Sequence, residues 1–393
     1  MCTVEDETGA LGYLAVDSTV GGRAHGGLRL RPGLDADEIR LLARVMTYKY
    51  GFLGLPLGGA KAGVVGDPEA EPAARRARLE RFGRALGPLL RARVYVPAPD
   101  MGTDNQDIRR LLAAAGVRVH ARQLRVSESG RFTARSVLAC AEVAAAHLGL
   151  SLRGQTAAIE GLGKVGAALA GLLSRAGVRV VAVSTARGAV HDPAGLDVQA
   201  LQALAAAEGS RSVERYPGGR QIEPPRLLEV ETDLLFPCAA HHTLTAGNAG
   251  RVQARLICPG ANAPLTAEAE AALEGRGVLI IPDFVANCGG VLGTVMAYAG
   301  LPEQAFDQAL EGLIAPRLAR LLDESRRQGV PLRRLAVAQA ERRFTALRAS
   351  AGRRSPGRRL VDIGLALHRR GLVPAACVRP FARVSIRRAL SAW

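Results

Sequence analysis

The sequence predicts an α/β protein of two domains. A first α/β domain is expected over residues 1–132 and a doubly wound parallel sheet over 133–335. A helical segment, 336–393, follows and is expected to return to the first domain. Three observations carry this reading. The 393 residues exceed one ordinary domain. Short apolar runs alternate with stretches of helical periodicity, the pattern of a parallel sheet covered by helices. Glycine-rich turns stand where such runs meet helices, the places where an α/β fold opens a cleft.

Taken in order, residues 13–16 are strand-like. Asp35-Ala36-Asp37-Glu38 has the form of a capping box. The helix it opens carries Ile39, Leu42, Ala43 and Met46 on one face, and Gly51 and Gly54 end it near Pro56. A second helix is expected over 72–90, then a strand at 94–96 that stops at Pro97. A third helix after Thr103 carries Ile108, Leu111 and Leu112. From about Thr133 a helix leads into a strand at 156–159, a helix at 165–175 and a strand at 178–183. Further strands are expected at 233–236, 255–258 and 278–281. Beyond Gly300 the chain reads as helical, with a basic break at Gly352-Arg353-Arg354-Ser355-Pro356. There is no internal repeat, and two α/β domains with a cleft between them is the natural arrangement.

Composition excludes several classes. With 48% hydrophobic and 22% charged residues the chain suits a soluble protein with sizeable cores. No charge-free apolar run approaches membrane-spanning length. The first residues have neither a basic nor an apolar signal region, so a cytoplasmic location is expected. The six cysteines form no CxxC pair, which speaks against a zinc site or a disulfide framework. No metal is expected. The net charge of +16 is spread along the chain except for its Arg-rich end, and aromatic residues are 4% of the total. Stacking platforms are therefore few, and the charge reads as solvated arginine rather than as a nucleic-acid surface.

Only three lysines are present, Lys49, Lys61 and Lys164; every other cation in the Lys+Arg count is Arg. Arginine cannot give up its proton, so a lysine kept in such a chain suggests proton chemistry.

After the strand ending at Ile159 comes Gly161-Leu162-Gly163-Lys164-Val165-Gly166 and then an apolar helix. GxGxxG alone is weak, but between strand and helix it marks a Rossmann-type dinucleotide turn. Gly161 makes the tight turn, Gly163 admits the pyrophosphate, and Gly166 packs helix on strand. The phosphates then meet the helix N-terminus near Lys164 and Val165, with Lys164 read as exposed. An acidic residue is expected about 20 residues on, to bind the ribose hydroxyls. The sequence instead has Ser184-Thr185-Ala186-Arg187. With no carboxylate at Thr185 and with Arg187 nearby, either NAD or NADP is expected, NADP being favoured.

Three segments of the first domain set reactive groups beside glycines. They are His25-Gly26-Gly27-Leu28-Arg29, the stretch from Lys49 to Pro56-Leu57-Gly58-Gly59-Ala60-Lys61, and Pro97-Ala98-Pro99-Asp100. Lys49 at a helix end and Lys61 after a glycine-rich return are placed to face one pocket. Burial and a second positive charge would bring Lys61 toward the ~7–8 range that suits a general base. Asp100 is then placed to exchange protons with it.

These segments resemble those of the glutamate/leucine/phenylalanine/valine dehydrogenases, over about residues 6–300. The likeness lies in an ordered set. It comprises Gly26-Gly27-Leu28-Arg29, two lysines twelve apart, Val96-Pro97-Ala98-Pro99-Asp100, the dinucleotide turn, Gly260-Ala261-Asn262, Ile281-Pro282-Asp283, and Asn287-Cys288-Gly289-Gly290-Val291. The resemblance implies a fold with an N-terminal substrate domain and a Rossmann-type coenzyme domain. It also implies NAD(P)-dependent, reversible oxidative deamination of an L-amino acid to a 2-oxo acid and ammonia. It gives Lys49 the substrate carboxylate, Lys61 the role of catalytic base, and Asp100 that of proton carrier. Gly26 and Gly27 lie at the substrate, and Asn262 and Asn287 line the cleft at nicotinamide and substrate.

Departures bear on specificity. Where glutamate-specific members have a lysine before the glycine pair, this chain has His25, and Thr294 offers a hydroxyl where apolar-specific members have valine. This polar pair favours glutamate or another polar amino acid. The family's nicotinamide-contacting threonine falls on Arg135, so Thr133 or Ser136 would substitute. A homo-oligomer is expected, with no nucleic-acid or membrane partner. The competing readings are an oxidoreductase acting on an unusual biosynthetic amino acid, which His25 and Arg135 would permit, and a dinucleotide-binding sensor without catalysis, against which intact Lys49, Lys61 and Asp100 speak.

Overall fold

Small residues decide the architecture around the first sheet. In a computed structural model that describes residues 1–7, 9–117, 129–299 and 301–351, with scattered positions beyond (363–364, 366–367, 372–374, 377 and 380), the chain divides into two units. The first contains the described residues of Met1–Ser127, Thr294–Glu303 and Ala338–Trp393, and the second those of Glu128–Gly293 and Gln304–Val337. The basic break at 352–356 lies outside the described residues.

The first unit holds strands β1 (Cys2–Asp6), β2 (Gly9–Val16), β3 (Ala24–Arg31), β4 (Gly58–Val65) and β5 (Tyr95–Pro99), in the order β1-β2-β4-β3-β5. β1 and β4 run antiparallel to β2, while β3 runs parallel to both β4 and β5. Its helices are α1 (Ala36–Leu53), α2 (Pro72–Ala85), α3 (Gly87–Arg91) and α4 (Asn105–Ala114). α1 lies directly on β4, because Gly59 has no side chain to hold it off. A Cβ there would stand 2.3 Å from the Thr47 Oγ1 and 2.4 Å from the Thr47 nitrogen. The other face of the sheet is filled by Leu14, Leu28, Leu30 and Val64 with Phe82 of α2 and Ile108 and Leu111 of α4.

Several local expectations change. The glycine-rich return before Lys61 is the interior strand β4, buried from Gly58 to Val64. β5 continues through Pro97 to Pro99, which is possible because it is an edge strand whose outer side needs no ladder donors. The expected helix over 72–90 is two helices that break at Leu86, just before Pro88. Gly51 stays inside α1, and Gly54 ends it in a left-handed conformation, φ 74°. Asp35 caps α1 by accepting from the Glu38 N–H, while the Glu38 carboxylate turns to Arg29 and Arg31.

The second unit holds β6 (Thr156–Glu160), β7 (Arg179–Ser184), β8 (Ala189–His191), β9 (Arg220–Ile222), β10 (Leu234–Pro237), β11 (Leu256–Ile257) and β12 (Leu279–Ile280). Their order is β12-β11-β10-β6-β7-β8-β9. Strands β12 to β7 are parallel, as the alternating pattern requires. β8 and β9 add an antiparallel edge that the sequence reading did not contain. The four-residue connection from Ser184 to Ala189 is too short for a crossover helix, so β8 must turn back on β7.

Further helices among the described residues are α5 (Ser129–His147), α6 (Lys164–Arg175), α7 (Val198–Glu208), α8 (Ser212–Arg215), α9 (Ala246–Ala249), α10 (Ala267–Gly275), α11 (Asp283–Ala286), α12 (Gly289–Tyr298), α13 (Glu303–Ala309), α14 (Ala315–Gln328) and α15 (Leu332–Ala351). Strand order reverses between β6 and β10, so the crevice beyond their carboxyl ends is the topological switch point, where α/β sheets bind ligands. Among the described residues no helix is long and apolar enough to cross a membrane. No cluster of His, Cys, Asp or Glu among them could hold a metal ion.

Candidate functional site

Three neighbouring strands of the first unit bring one reactive cluster together. Lys61 points from β4, 2% exposed, and its Nζ lies 2.5 Å from the Asp100 Oδ2. Asp100 follows β5 and is fixed by its own backbone. Its N–H donates to the Thr103 hydroxyl (3.0 Å), which in turn donates to the Leu28 carbonyl (2.7 Å) on β3. Arg29, also on β3 and buried, donates from Nε to the same Asp100 Oδ2 (3.1 Å) and from Nη1 to the Glu38 Oε1 (2.8 Å). Arg31 pairs with the other oxygen of Glu38.

Electrostatics follow from this packing. Burial lowers the Lys61 pKa from its ordinary value of 10.5, and the Arg29 charge lowers it further, against the opposing pull of Asp100. Burial alone would raise Asp100. Lys61, Arg29 and the Met101 N–H outweigh it and hold the carboxyl well below the usual carboxylate range. The second positive charge expected beside Lys61 is thus supplied by Arg29. The result is a lysine whose proton is held less tightly, 2.5 Å from a carboxylate that stays ionised.

The glycine pair makes room for that contact. A Cβ on Gly27 would stand 2.7 Å from the Asp100 Cβ and 3.2 Å from the Lys61 Nζ. A Cβ on Gly26 would collide with the Ala60 carbonyl at 1.6 Å. The Gly26 carbonyl accepts from the buried Tyr95 hydroxyl (3.2 Å). Lys49 is buried near the end of α1. Its neighbour Tyr50 donates to the backbone carbonyl of His25 (3.4 Å), so the last turns of α1 meet the start of β3. His25 is half-buried there, and Thr294 is half-buried on α12.

In the second unit, the turn after β6 has the geometry a dinucleotide needs. Gly161 takes φ 90°, and a Cβ on it would stand 2.8 Å from the Ala239 Cα after β10. A Cβ on Gly166 would lie 2.0 Å from the Gly161 carbonyl, so α6 seats against the turn only with glycine there. Gly163 faces open space and caps α6 in an extended conformation with no side chain occupying the first-turn N–H groups. Those groups are free to meet an anion. Lys164 is exposed and Val165 half-buried. The Gly161 N–H donates to the Ser184 Oγ (3.2 Å), which ties the turn to the end of β7. Beyond it the Thr185 hydroxyl donates to the Ser210 carbonyl (2.7 Å) and accepts from the Arg187 N–H (3.2 Å), with Arg187 exposed.

The asparagines meet beyond β11. Asn287 is 2% exposed, and its Nδ2 donates to the Ala261 carbonyl (2.8 Å) and the Asn262 Oδ1 (3.1 Å). Its buried Oδ1 accepts no hydrogen bond among the described residues, the one acceptor here left for a ligand's donor. Together with the open face of Gly163, this fits a dinucleotide with a hydrogen-bonding head group.

Ser136 lies on α5 beside the asparagine turn. It is fully buried, and its hydroxyl lies 2.7 Å from the Ala286 carbonyl while accepting from the Gly289 N–H (3.0 Å). It braces the Asn287 turn. Thr133 donates to the Ser129 carbonyl (2.8 Å) inside α5 and closely approaches Gly290. Arg135 pairs with Asp307 and stands 5.0 Å from the Phe306 ring centroid on α13.

Two groups outside the Lys61 cluster were missed from sequence. Glu160, immediately before the dinucleotide turn, is buried and accepts from the Thr243 hydroxyl (3.0 Å). Burial raises its pKa to about 7, so in acid it adds no negative charge beside the phosphate-binding turn. The acidic signal was sought after β7, and a glutamate closing β6 reads as an ordinary strand end. The second is the ion cluster beneath the asparagines. Asp283 accepts from the Ala263 N–H (2.8 Å) and pairs with Arg333 (2.9 Å), which also pairs with Glu270 (2.6 Å). Ala263 holds φ 47°, a left-handed conformation costly for a residue with a Cβ, next to Asn262.

Comparison with known proteins agrees with both units. Residues 127–352 match the family model described as Glutamate/Leucine/Phenylalanine/Valine dehydrogenase, and residues 1–115 match the one described as Glu/Leu/Phe/Val dehydrogenase, dimerisation domain. A glutamate dehydrogenase of Thermotoga maritima is 36% identical over 296 residues, covering 71% of this chain and 70% of its own length. The NADP-specific glutamate dehydrogenase A1 of Halobacterium salinarum is 32% identical over 331 residues, 79% of each chain. Among solved structures, the hetero-hexameric glutamate dehydrogenase of Thermus thermophilus in its leucine-bound form superposes with a TM-score of 0.74 at 29% identity, covering 88% of this chain and 86% of that one. This chain belongs to the glutamate/leucine/phenylalanine/valine dehydrogenase family.

Proposed function

We propose that the protein catalyses the reversible NAD(P)-dependent oxidative deamination of an L-amino acid, with Lys61 as general base and Asp100 as its proton partner. The observation that carries this reading is the buried Lys61–Asp100 contact of 2.5 Å in a space that only Gly27 leaves open. Bound coenzyme supplies the acceptor that oxidises the substrate Cα to the iminium. Lys61, unprotonated, takes a proton from water as its oxygen bonds to the iminium carbon. Lys61 passes that proton to Asp100, which gives it to the nitrogen of the resulting carbinolamine; the C–N bond breaks as Lys61 takes the hydroxyl proton and the C=O bond forms, and ammonia leaves with the 2-oxo acid. Lys49 holds the substrate carboxylate, Gly26 and Gly27 let the substrate approach the backbone, and Asn262 and Asn287 orient substrate and nicotinamide. The protein acts as a homo-oligomer in this reading. The Thermus relative is hetero-hexameric, so subunit identity is settled by mass analysis of the purified assembly.

For the coenzyme, we propose that NADP is accepted at least as well as NAD. No carboxylate stands at the end of β7, where Ser184 and Thr185 are committed to backbone partners and Arg187 is exposed. Thr185→Asp is expected to shift the kcat/KM ratio toward NAD, by repelling a 2′-phosphate while binding ribose hydroxyls. A parent protein that strongly prefers NAD would remove Arg187 from this role.

For the substrate, we propose glutamate or another polar amino acid. Seating an aliphatic side chain against His25 and Thr294 would leave two polar groups unpaired, at about 1–3 kcal/mol for each one fully buried. A panel of amino acids with each coenzyme, followed by absorbance of the reduced nicotinamide, tests the reaction and the preference together. Glutamate is expected to exceed leucine and valine, and His25→Leu to raise the leucine-to-glutamate ratio. Turnover of leucine or valine with none of glutamate would reject the side-chain assignment, and no turnover of any amino acid would reject the reaction.

A further inference from the structure

We propose that Arg29 is a positioning residue for this reaction: anchored on Glu38, its guanidinium fixes the Asp100 carboxylate against Lys61 and supplies the charge that frees Lys61 to act as a base. The proposal rests on the roles given above to Lys61 and Asp100, and it assigns the chemistry of their pair to a third side chain.

Geometry carries the argument. Arg29 Nε and Lys61 Nζ converge on one oxygen, Oδ2 of Asp100, at 3.1 and 2.5 Å. The other edge of the guanidinium is spent on Glu38 at 2.8 Å. A planar fork can serve two carboxylates in fixed directions, which a single ammonium cannot. Glu38 is itself anchored in the first turn of α1 and held on its far side by Arg31. The cluster is thus a chain running from α1 through β3 to the residue after β5, and it ends on β4 at Lys61.

Charge counting gives the same answer. Glu38 and Asp100 are two negative charges, and Arg29 and Arg31 are two permanent positive ones. The set is balanced when Lys61 is neutral, and the proton on Lys61 is the excess charge. Remove Arg29 and that proton becomes the counter-charge Asp100 requires. Two buried tyrosines packed here leave this balance unchanged. Tyr95, from β5, and Tyr50, from α1, are buried with their pKa values pushed up, so both stay neutral, and their hydroxyls donate to the Gly26 and His25 carbonyls. Burial acts on Lys61 in the same direction as Arg29, while Glu38 and Asp100 act against it.

The test compares the pH dependence of kcat/KM for deamination in the parent, Arg29→Gln, Arg29→Lys and Glu38→Gln, at saturating coenzyme. Ionisation of the substrate is common to all four and cancels in the comparison. Arg29→Gln is expected to lower kcat ~10²-fold, the cost of a misplaced reacting group. Its rising limb is expected to move to higher pH, because Lys61 keeps its proton. Arg29→Lys is expected to hold the limb near the parent position while recovering only part of the rate. Glu38→Gln removes a negative charge and is expected to move the limb to lower pH. Opposite displacements by two variants of one ion pair are not produced by loosened packing. If both variants lose activity with the limb unmoved or displaced in one direction, or if Arg29→Gln keeps kcat within about 3-fold of the parent, the proposal fails. Should Arg29→Gln not fold, the sign of the Glu38→Gln shift decides alone. A failure of the underlying reading is recognised separately, by turnover that survives removal of Lys61.

Discussion

Lys61→Ala is expected to lower kcat by ~10²–10⁴, the usual loss for a positioned acid/base group, while the protein stays folded and still binds coenzyme. Folding should survive because the deletion does not strand Asp100. Its Oδ2 keeps Arg29 at 3.1 Å, and its backbone keeps Thr103. Coenzyme binding should survive because the dinucleotide turn belongs to the second unit. Asp100→Asn is expected to lose a comparable factor for a different reason. Burial and Arg29 both push Lys61 toward its neutral form, so without the carboxylate the base remains but its proton has no acceptor. The pH dependence follows with a definite sign. Lys61 must be unprotonated to deaminate, and its pKa is lowered from 10.5, so the rate rises with pH and levels off below the value expected of a free lysine. Asp100 is held ionised well below neutrality and contributes no limb in that range. Circular dichroism and coenzyme titration of both variants separate lost chemistry from lost structure. Near-parental turnover in either would end its catalytic assignment.

The sequence singled out candidate reactive residues without showing their seats. Lys61 stood out because lysine is nearly absent from the chain, yet its strand read as a loop. Gly58-Gly59-Ala60-Lys61-Ala62-Gly63 lacks the β-branched residues that mark strands, and it has none because α1 lies directly on it. Such a strand owes its existence to partners on both sides, β2 and β3, and that pairing is long-range information. The same limit hid Arg29, whose strand contains a glycine pair, and left Lys49 as the apparent second charge beside Lys61. Asp100 was legible because Pro97 and Pro99 confine its backbone. In the second unit the parallel order was readable from alternation, and the dinucleotide turn from its glycines. The edge strands β8 and β9, three residues each, carry too few side chains to show a period. Ser136 was noticed for its type and its place near Gly130-Arg131-Phe132-Thr133, while its backbone partners in the turn at 286–289 are long-range and could not be read from sequence.

Replacing Arg333 with Met is expected to cost the second unit stability. Arg333 pairs with Asp283, whose side chain is fully buried, and with Glu270, which is about one-tenth exposed. Its own side chain is 29% exposed, so water reaches one end of the network. Breaking a fully buried pair costs about 3–5 kcal/mol, because an uncompensated charge remains. With solvent at the guanidinium a loss of about 2–3 kcal/mol is expected here, seen as a fall in Tm of roughly 5–10 °C for a domain of this size. The consequence reaches the site through one hydrogen bond. The other oxygen of Asp283 accepts from the Ala263 N–H, and Ala263 sits at φ 47°, next to Asn262. A strained residue of this kind persists only while its surroundings hold it. Once Arg333 is gone, Asp283 is drawn toward water, Ala263 relaxes, and Asn262 leaves the Asn287 Nδ2. Arg333→Met should therefore weaken coenzyme binding at temperatures where the protein is still fully folded. Arg333→Lys should recover part of the stability, since one ammonium can face a carboxylate but cannot serve both. A Tm and a coenzyme affinity both unchanged in Arg333→Met would show that the Ala263 conformation is held by the chain around it, without this ion network.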